Sequence, residues 1–219
     1  MKENKKNVEA LPEKTVERLC IYRNVLSEMH REGKVYVYAK ELAEATCNSP
    51  VQVRRDIMSL NMTGTPQRGY LVRKMLKEIS ELIDPSGEMK VCLVGIGNLG
   101  KAVLTYFNRR RPMLSIVAAF DTDPAKAGRL LSGCPTYSME EMPRIVTEKN
   151  IKLGIIAVPG SEAQNTANQL ISSGVVGLVN FAHVLLKIPE SAFLENLDIT
   201  TALEKTAYFA KTRSPQTEV

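Results

Sequence analysis

No stretch of this 219-residue chain reaches the roughly 18 consecutive apolar residues that a helical membrane span needs, so no such span is expected. The first ten residues, MKENKKNVEA, lack the apolar segment of a secretory signal and read as a solvated terminus. Histidine is scarce, with His30 and His183 alone. Cys20, Cys47, Cys92 and Cys134 are widely spaced and contain no C-x-x-C pair. Those two absences together argue against a zinc site, and no metal is expected. Four scattered thiols fit a reducing cytoplasm, and each is expected to be buried and inert. There is no internal repeat beyond a strand–helix alternation, and no low-complexity tract.

What is present is a composition that folds. Apolar residues make up 44% of the chain, enough for a core and too many for a disordered protein. The net charge is +5, and its distribution says more than its size. Between residues 45 and 77, six basic groups (Arg54, Arg55, Arg68, Arg73, Lys74, Lys77) face one acid, Asp56. A concentrated basic segment is the electrostatic footprint of a phosphate-backbone binder.

That segment lies in a helical first region. Leu11 to Glu32 reads as a helix: Pro12 suits a first turn, Leu19, Tyr22, Leu26 and Met29 recur at helical spacing, and Gly33 ends it. A short strand-like piece follows at 35–38, then a short helix at 40–45 and a polar break at 46–48. Ser49 and Pro50 open the next helix, the serine as cap and the proline at a position that needs no N–H. Helix, tight turn, helix is the helix-turn-helix plan. On VQVRRDIMSL, Val53, Ile57 and Leu60 share one side; Gln52, Arg55 and Ser59 lie on the other, with Arg54 on a flank. A recognition helix needs such an arrangement, its apolar face docking on its own domain while arginine and glutamine reach DNA. Residues 63–69 are turn chemistry and 70–72 a strand, which together read as a wing that brings Arg68 to the DNA backbone or minor groove. A further helix over 73–83 precedes a break at Asp84-Pro85-Ser86-Gly87, the expected domain boundary. The competing reading of this region is a protein-interaction domain with a solvated charged face.

From Met89 the pattern changes to alternating strands (90–95, 115–120, 135–137, 152–158, 175–180) and helices (98–109, 124–131, 139–149, 162–173). This is the signature of an α/β, doubly wound parallel sheet with helices on both faces, a Rossmann-type fold. At its start, Gly95, Gly97 and Gly100 form G-x-G-x-x-G between strand and helix. The first glycine allows the tight turn, the second the approach of a pyrophosphate, the third close helix–strand packing; the helix N-terminus then faces the phosphates. Asp121 ends the next strand, 21 residues after Gly100, where an acid accepts from ribose hydroxyls and repels a 2′-phosphate. NAD(H) is therefore favoured over NADP(H), with Asp123 as a helix cap before Pro124. Val158 and Pro159, after another apolar strand, are expected to line the same site, with Phe181 in the equivalent layer. His183 has no acidic partner in sequence reach, which argues against acid–base catalysis.

A dehydrogenase also needs a place for its second substrate. After residue 185 only a short Leu/Pro segment, Asn196-Leu197-Asp198-Ile199 and a final helix over 202–211 remain, too little for a substrate domain. No catalytic residue is assigned. The rivals are a small NAD-dependent dehydrogenase with an accessory domain and a CoA-binding module, which shares this sheet and glycine turn but gives Asp121 no role.

With both halves in view, the chain resembles the redox-sensing transcriptional repressor Rex family. The resemblance rests on QVRRD (52–56), GIGNLGKAV (95–103), FDTDP (120–124), AVP (157–159), NFA (180–182) and NLDITTAL (196–203), and spans about 200 residues from Leu11. Asn98 and Leu99 within the glycine motif, together with FDxDP, are far more specific than a generic fingerprint. The resemblance implies a winged helix-turn-helix domain (1–84), a Rossmann NAD(H) domain (88–200) and a C-terminal helix and tail (201–219), the helix crossing to a partner subunit. It implies a cytoplasmic homodimer that binds a palindromic operator in double-stranded DNA when NAD+ dominates and leaves it when NADH accumulates. Ser49, Gln52, Arg54, Arg55, Ser59 and Arg68 would contact DNA. Tyr106 would lie near the nicotinamide and look across to Asp198 of the other subunit, with Arg18 sharing that aspartate as a switch. Two departures stand out. The wing reads Gly64-Thr65-Pro66-Gln67-Arg68-Gly69-Tyr70 where the family usually has G-[KR]-R-G-x-G-Y, and His183 stands where proline usually follows NFA.

Overall fold

The computed structural model describes residues 11–60, 62–85, 87–107 and 113–213. The expected solvated terminus, the end of the helix expected over 98–109 and the last six residues lie outside them. The chain forms two compact units that divide at Pro85.

In the first unit, α1 (Glu13–Arg31) follows Pro12, which stands just outside the helix at its N-cap rather than within the first turn. Leu19, Tyr22 and Leu26 are fully buried on one stripe of α1, each contributing about 1.5–3 kcal/mol of apolar burial. Gly33, at φ +85°, lets the chain leave the helix. β1 (Tyr36–Val37), α2 (Ala39–Ala45) and α3 (Pro50–Ser59) follow. The buried faces of α2 and α3 (Leu42, Ala43, Val53, Ile57) join α1 and α4 (Val72–Ile83) in one core. β2 (Tyr70–Leu71) pairs antiparallel with β1. The wing strand is thus shorter than the sequence suggested, and Val72 already opens α4.

The second unit is a seven-stranded sheet. Its elements are β3 (Met89–Val94), α5 (Asn98–Phe107), β4 (Leu114–Asp121), β5 (Leu130–Leu131), β6 (Cys134–Ser138), α6 (Met142–Glu148), β7 (Leu153–Ile156), α7 (Gly160–Ser172), β8 (Gly177–Asn180), β9 (Phe193–Asn196) and α8 (Ile199–Arg213). The strand order is β5-β6-β4-β3-β7-β8-β9, parallel except for β5. The alternation of side chains along β3 divides the core. Cys92 and Val94 pack with α6 and α7 on one face, while Val91 and Leu93 pack with Val103 and Leu104 of α5 on the other. The chain order reverses between β3 and β7, which is where doubly wound sheets bind ligands.

Two expectations fail here. The helix expected over 124–131 is a single 3-10 turn, Pro124–Lys126, followed by the β5–β6 hairpin. Gly128, Ser132 and Gly133 all take left-handed backbone, which interrupts any helix, and the Gly128 N–H bonds to the Thr136 carbonyl instead. The segment before Asn196 is a strand, β9, paired parallel with β8, where the sequence had suggested none.

Candidate functional site

The glycine turn sits at the reversal point. Gly95 has φ +99° and donates its N–H to the Phe120 carbonyl at 2.8 Å. A Cβ there would lie 2.3 Å from the Ala157 carbonyl oxygen, so the turn is wedged between the ends of β4 and β7. A Cβ on Gly100 would lie 1.9 Å from the Gly95 carbonyl oxygen: that glycine lets α5 close onto the turn. Gly97 differs, because a Cβ would meet nothing within 4 Å. Its open side is where an oxyanion can approach backbone amides at the start of α5, the arrangement a pyrophosphate needs.

Beside the turn is a cavity of about 400 Å³. Of the residues proposed from sequence, Gly95, Gly97, Asp121, Val158 and Pro159 line it. Asn98, Leu99, Gly100, Tyr106 and Phe181 do not. Leu99 is exposed on the first turn of α5, Phe181 packs against the cluster beneath α5, and Tyr106 is exposed near its end, its ring 5.4 Å from that of Phe107.

Asp121 is 8% exposed and its carboxylate is well held. Oδ2 accepts from the Ile96 N–H at 2.7 Å and from the Lys126 ammonium at 3.0 Å; Oδ1 accepts from the Asp123 N–H at 2.9 Å. Burial alone would raise its pKa. The hydrogen bonds from the Asp123 and Ile96 amides and from Lys126 outweigh it and hold the carboxyl below the usual range. A carboxylate has about four acceptor positions, so one remains, on the oxygen with a single donor. Asp123 caps the 3-10 turn through the Ala125 N–H, as expected. Lys126 was missed; the expected helix hid that it folds back on Asp121.

In the first unit, Ser49 caps α3 by accepting the Gln52 N–H at 3.1 Å, and Arg54 and Arg55 are exposed. Arg68 lies over the Tyr36 ring at 5.7 Å, and the Tyr38 hydroxyl donates to the Gln67 carbonyl at 2.6 Å, so the wing loop is tied to β1 and the residue after it. The sequence reading missed Asp56. It is 3% exposed and joins α1 to α3. Arg18 grips it with two hydrogen bonds, 2.7 Å from Nε and 2.8 Å from Nη2. The Tyr22 hydroxyl donates at 2.9 Å and the Gln52 amide at 2.8 Å. Burial pushes this carboxyl up, but hydrogen bonds from Arg18, Gln52 and Tyr22 more than offset it and leave the pKa lowered. Burial pushes the Tyr22 phenol well above its ordinary value, so it stays a donor. Gln52 is therefore half-buried and internally bonded rather than wholly on the outer face, and the Ser59 hydroxyl donates to the Asp56 carbonyl.

Besides the exposed Tyr106, the other two groups of the expected switch are engaged within their own units. Arg18 is engaged by Asp56 within its own unit. Asp198 caps α8, accepting the Thr200 and Thr201 N–H groups at 2.9 and 3.1 Å and the Thr201 hydroxyl at 2.7 Å. It also meets His183 Nδ1 at 2.7 Å. This corrects the view that His183 lacks an acidic partner: the return of the chain through β9 supplies one 15 residues on. Cys92 and Cys134 are buried thiols, pushed up by burial to about 12 and about 11. Cys47, by contrast, is exposed in the turn before α3, and Cys20 is half-buried. Among the described residues no group of three or more His, Cys, Asp or Glu could hold a metal, and no helix is long and apolar enough to cross a membrane.

Comparison with known proteins fits this two-part geometry. The model of the CoA binding domain matches residues 86–184, and that of a putative DNA-binding protein N-terminus matches 10–57. The redox-sensing transcriptional repressor Rex of Lactobacillus gasseri is 36% identical over 91% of this chain and 93% of its own. The chain belongs to the Rex family. The Rex of Desulfitobacterium hafniense is likewise 36% identical, over 93% of this chain and 97% of its own. The fold is shared with the crystal structure of the Rex-family repressor RSP, at TM-score 0.82 and 24% identity over 93% of this chain and 95% of that one. RSP in complex with beta-NAD+ and operator DNA superposes with TM-score 0.86, at 23% identity over 93% and 94%. The CoA binding model covers β3 to β8 of the Rossmann-type sheet of this Rex-family chain, and the DNA-binding model ends within α3.

Proposed function

We propose that this chain is a cytoplasmic, redox-sensing transcriptional repressor: a homodimer that binds a palindromic operator and releases it when NADH rises relative to NAD+. The observation that carries this reading is the union, in one Rex-family chain, of a capped basic helix with a glycine turn whose neighbouring Asp121 keeps an acceptor position open. NAD(H), when bound, supplies two redox states of one ring that differ in charge. The chain's own residues do the rest. The amides beyond Gly97 hold the pyrophosphate, Asp121 takes a ribose hydroxyl, and Asn98 and Leu99 set the start of α5. Val158 and Pro159 wall the cavity, with Tyr106 and Phe181 serving the nicotinamide end. Ser49, Gln52, Arg54, Arg55, Ser59 and Arg68 face DNA.

The exposed apolar residues of α8 support a second subunit. Ile199, Leu203, Tyr208 and Phe209 are all more than half exposed on it, an apolar set that a partner copy would cover. Tyr106, the partner's Asp198 and Arg18 then form the link between cofactor state and dimer geometry. Within one chain Asp56 and His183 compete for Arg18 and Asp198. Coupling requires only that NADH bind the DNA-incompetent dimer more tightly than the DNA-competent one. No turnover is involved.

The test is a titration of operator duplex, at fixed salt, with NAD+ and then NADH. Binding in NAD+ and release by NADH are expected; binding that ignores the ratio would overturn the sensor. The His183–Asp198 pair gives the dehydrogenase reading an acid–base candidate, and steady NADH production from an alcohol would revive it.

A further inference from the structure

Gln52 is the third residue of α3, in the first turn, the part of a recognition helix that meets base edges. Asp56, one turn on, is buried and ionised in the grip of Arg18, and a carboxylate only accepts hydrogen bonds. The Gln52 amide, 2.8 Å from Asp56 Oδ1, must therefore present its NH2 group there. Its carbonyl oxygen cannot face Asp56, and it has no hydrogen-bond partner among the described residues. A glutamine free to rotate can offer either end of its amide to a base. This one cannot, and the NH2 group still has a second hydrogen to give.

We propose that Gln52 reads adenine in the major groove, its amide fixed by Asp56 so that the carbonyl oxygen accepts from the base's exocyclic amine. This deepens the DNA-binding reading above and rests on it. Adenine presents a donor, the N6 amine, beside an acceptor, N7, which matches an acceptor and a donor on one amide edge. Guanine presents acceptors at both positions, and its O6 would oppose the locked carbonyl. Asp56 is here a positioning residue that never touches DNA.

The experiment selects binding sites from a randomised duplex pool with the full-length protein and with Gln52→Ala. The wild-type pool is expected to carry adenine at one position of each half-site, and the Gln52→Ala pool to lose that preference while keeping the others. Replacing that adenine by a purine nucleotide without the exocyclic amine should weaken the wild-type protein about tenfold and Gln52→Ala by less than about twofold. The wild-type half of the analogue arm does not depend on how the variant folds. Retention of the adenine preference by Gln52→Ala, or guanine at the Gln52-dependent position, would overturn the inference alone. Failure of the wild-type protein to enrich any sequence would overturn the DNA-binding reading with it.

Discussion

Each unit buries one aspartate, and the two differ in how far their acceptor positions are filled. Asp56 receives four hydrogen bonds, two on each oxygen, and its acceptor capacity is filled. Asp121 receives three and lies on a cavity wall. Both carry a basic partner, Arg18 in one case and Lys126 in the other, and both have a pKa held below the usual range. The difference is saturation. A filled carboxylate acts as a joint between helices; one with three donors on a cavity wall beside a glycine turn can still accept a fourth. Burial and charge alone would not tell them apart.

The comparison can be broken most directly at Asp56. Asp56→Ala leaves Arg18 and Tyr22 without their acceptor and is expected to destabilise the first unit by about 3 kcal/mol or more, read by urea unfolding. Acid should act next. Both carboxyls have lowered folded pKa values, so the stability they contribute is complete above the unfolded aspartate pKa of about 3.9 and is lost as pH falls through the lower folded values. An acid titration followed by circular dichroism should lose part of this dependence in Asp56→Asn; an unchanged profile would mean the carboxylate is not held as described. Asp121→Asn should weaken NADH about tenfold, some 1.4 kcal/mol, in a fluorescence titration, with the fold retained. If it binds NADH normally, the vacant position is not a ligand contact. The smallest effect is on the cap: Ser49→Ala should cost about 1 kcal/mol of stability and lower operator affinity by fraying the first turn of α3.

Much of this was legible because it is local. The cap at Ser49-Pro50, the buried stripe Val53, Ile57 and Leu60, and the glycine turn all follow from neighbours within a turn or two of chain. Asp121 was legible because strand length places it at the end of β4. Asp56 was not, since its partner Arg18 lies 38 residues away and the acid reads as one more charge on a polar face. The β5–β6 hairpin was hidden by a helix-like run, although Gly128, Ser132 and Gly133 mark the turns that break it. β9 has little alternation to detect, as its residues are mostly exposed and only pairing with β8 defines it. The pairing of His183 with Asp198 depends in turn on β9 bringing the chain back.

α8 has no buried residue in its 15, and an isolated helix of about this length is marginal in water. Beyond the cap at Asp198, its helicity then depends on a partner copy covering it. Dilution should therefore melt this segment first, and circular dichroism at falling protein concentration checks it.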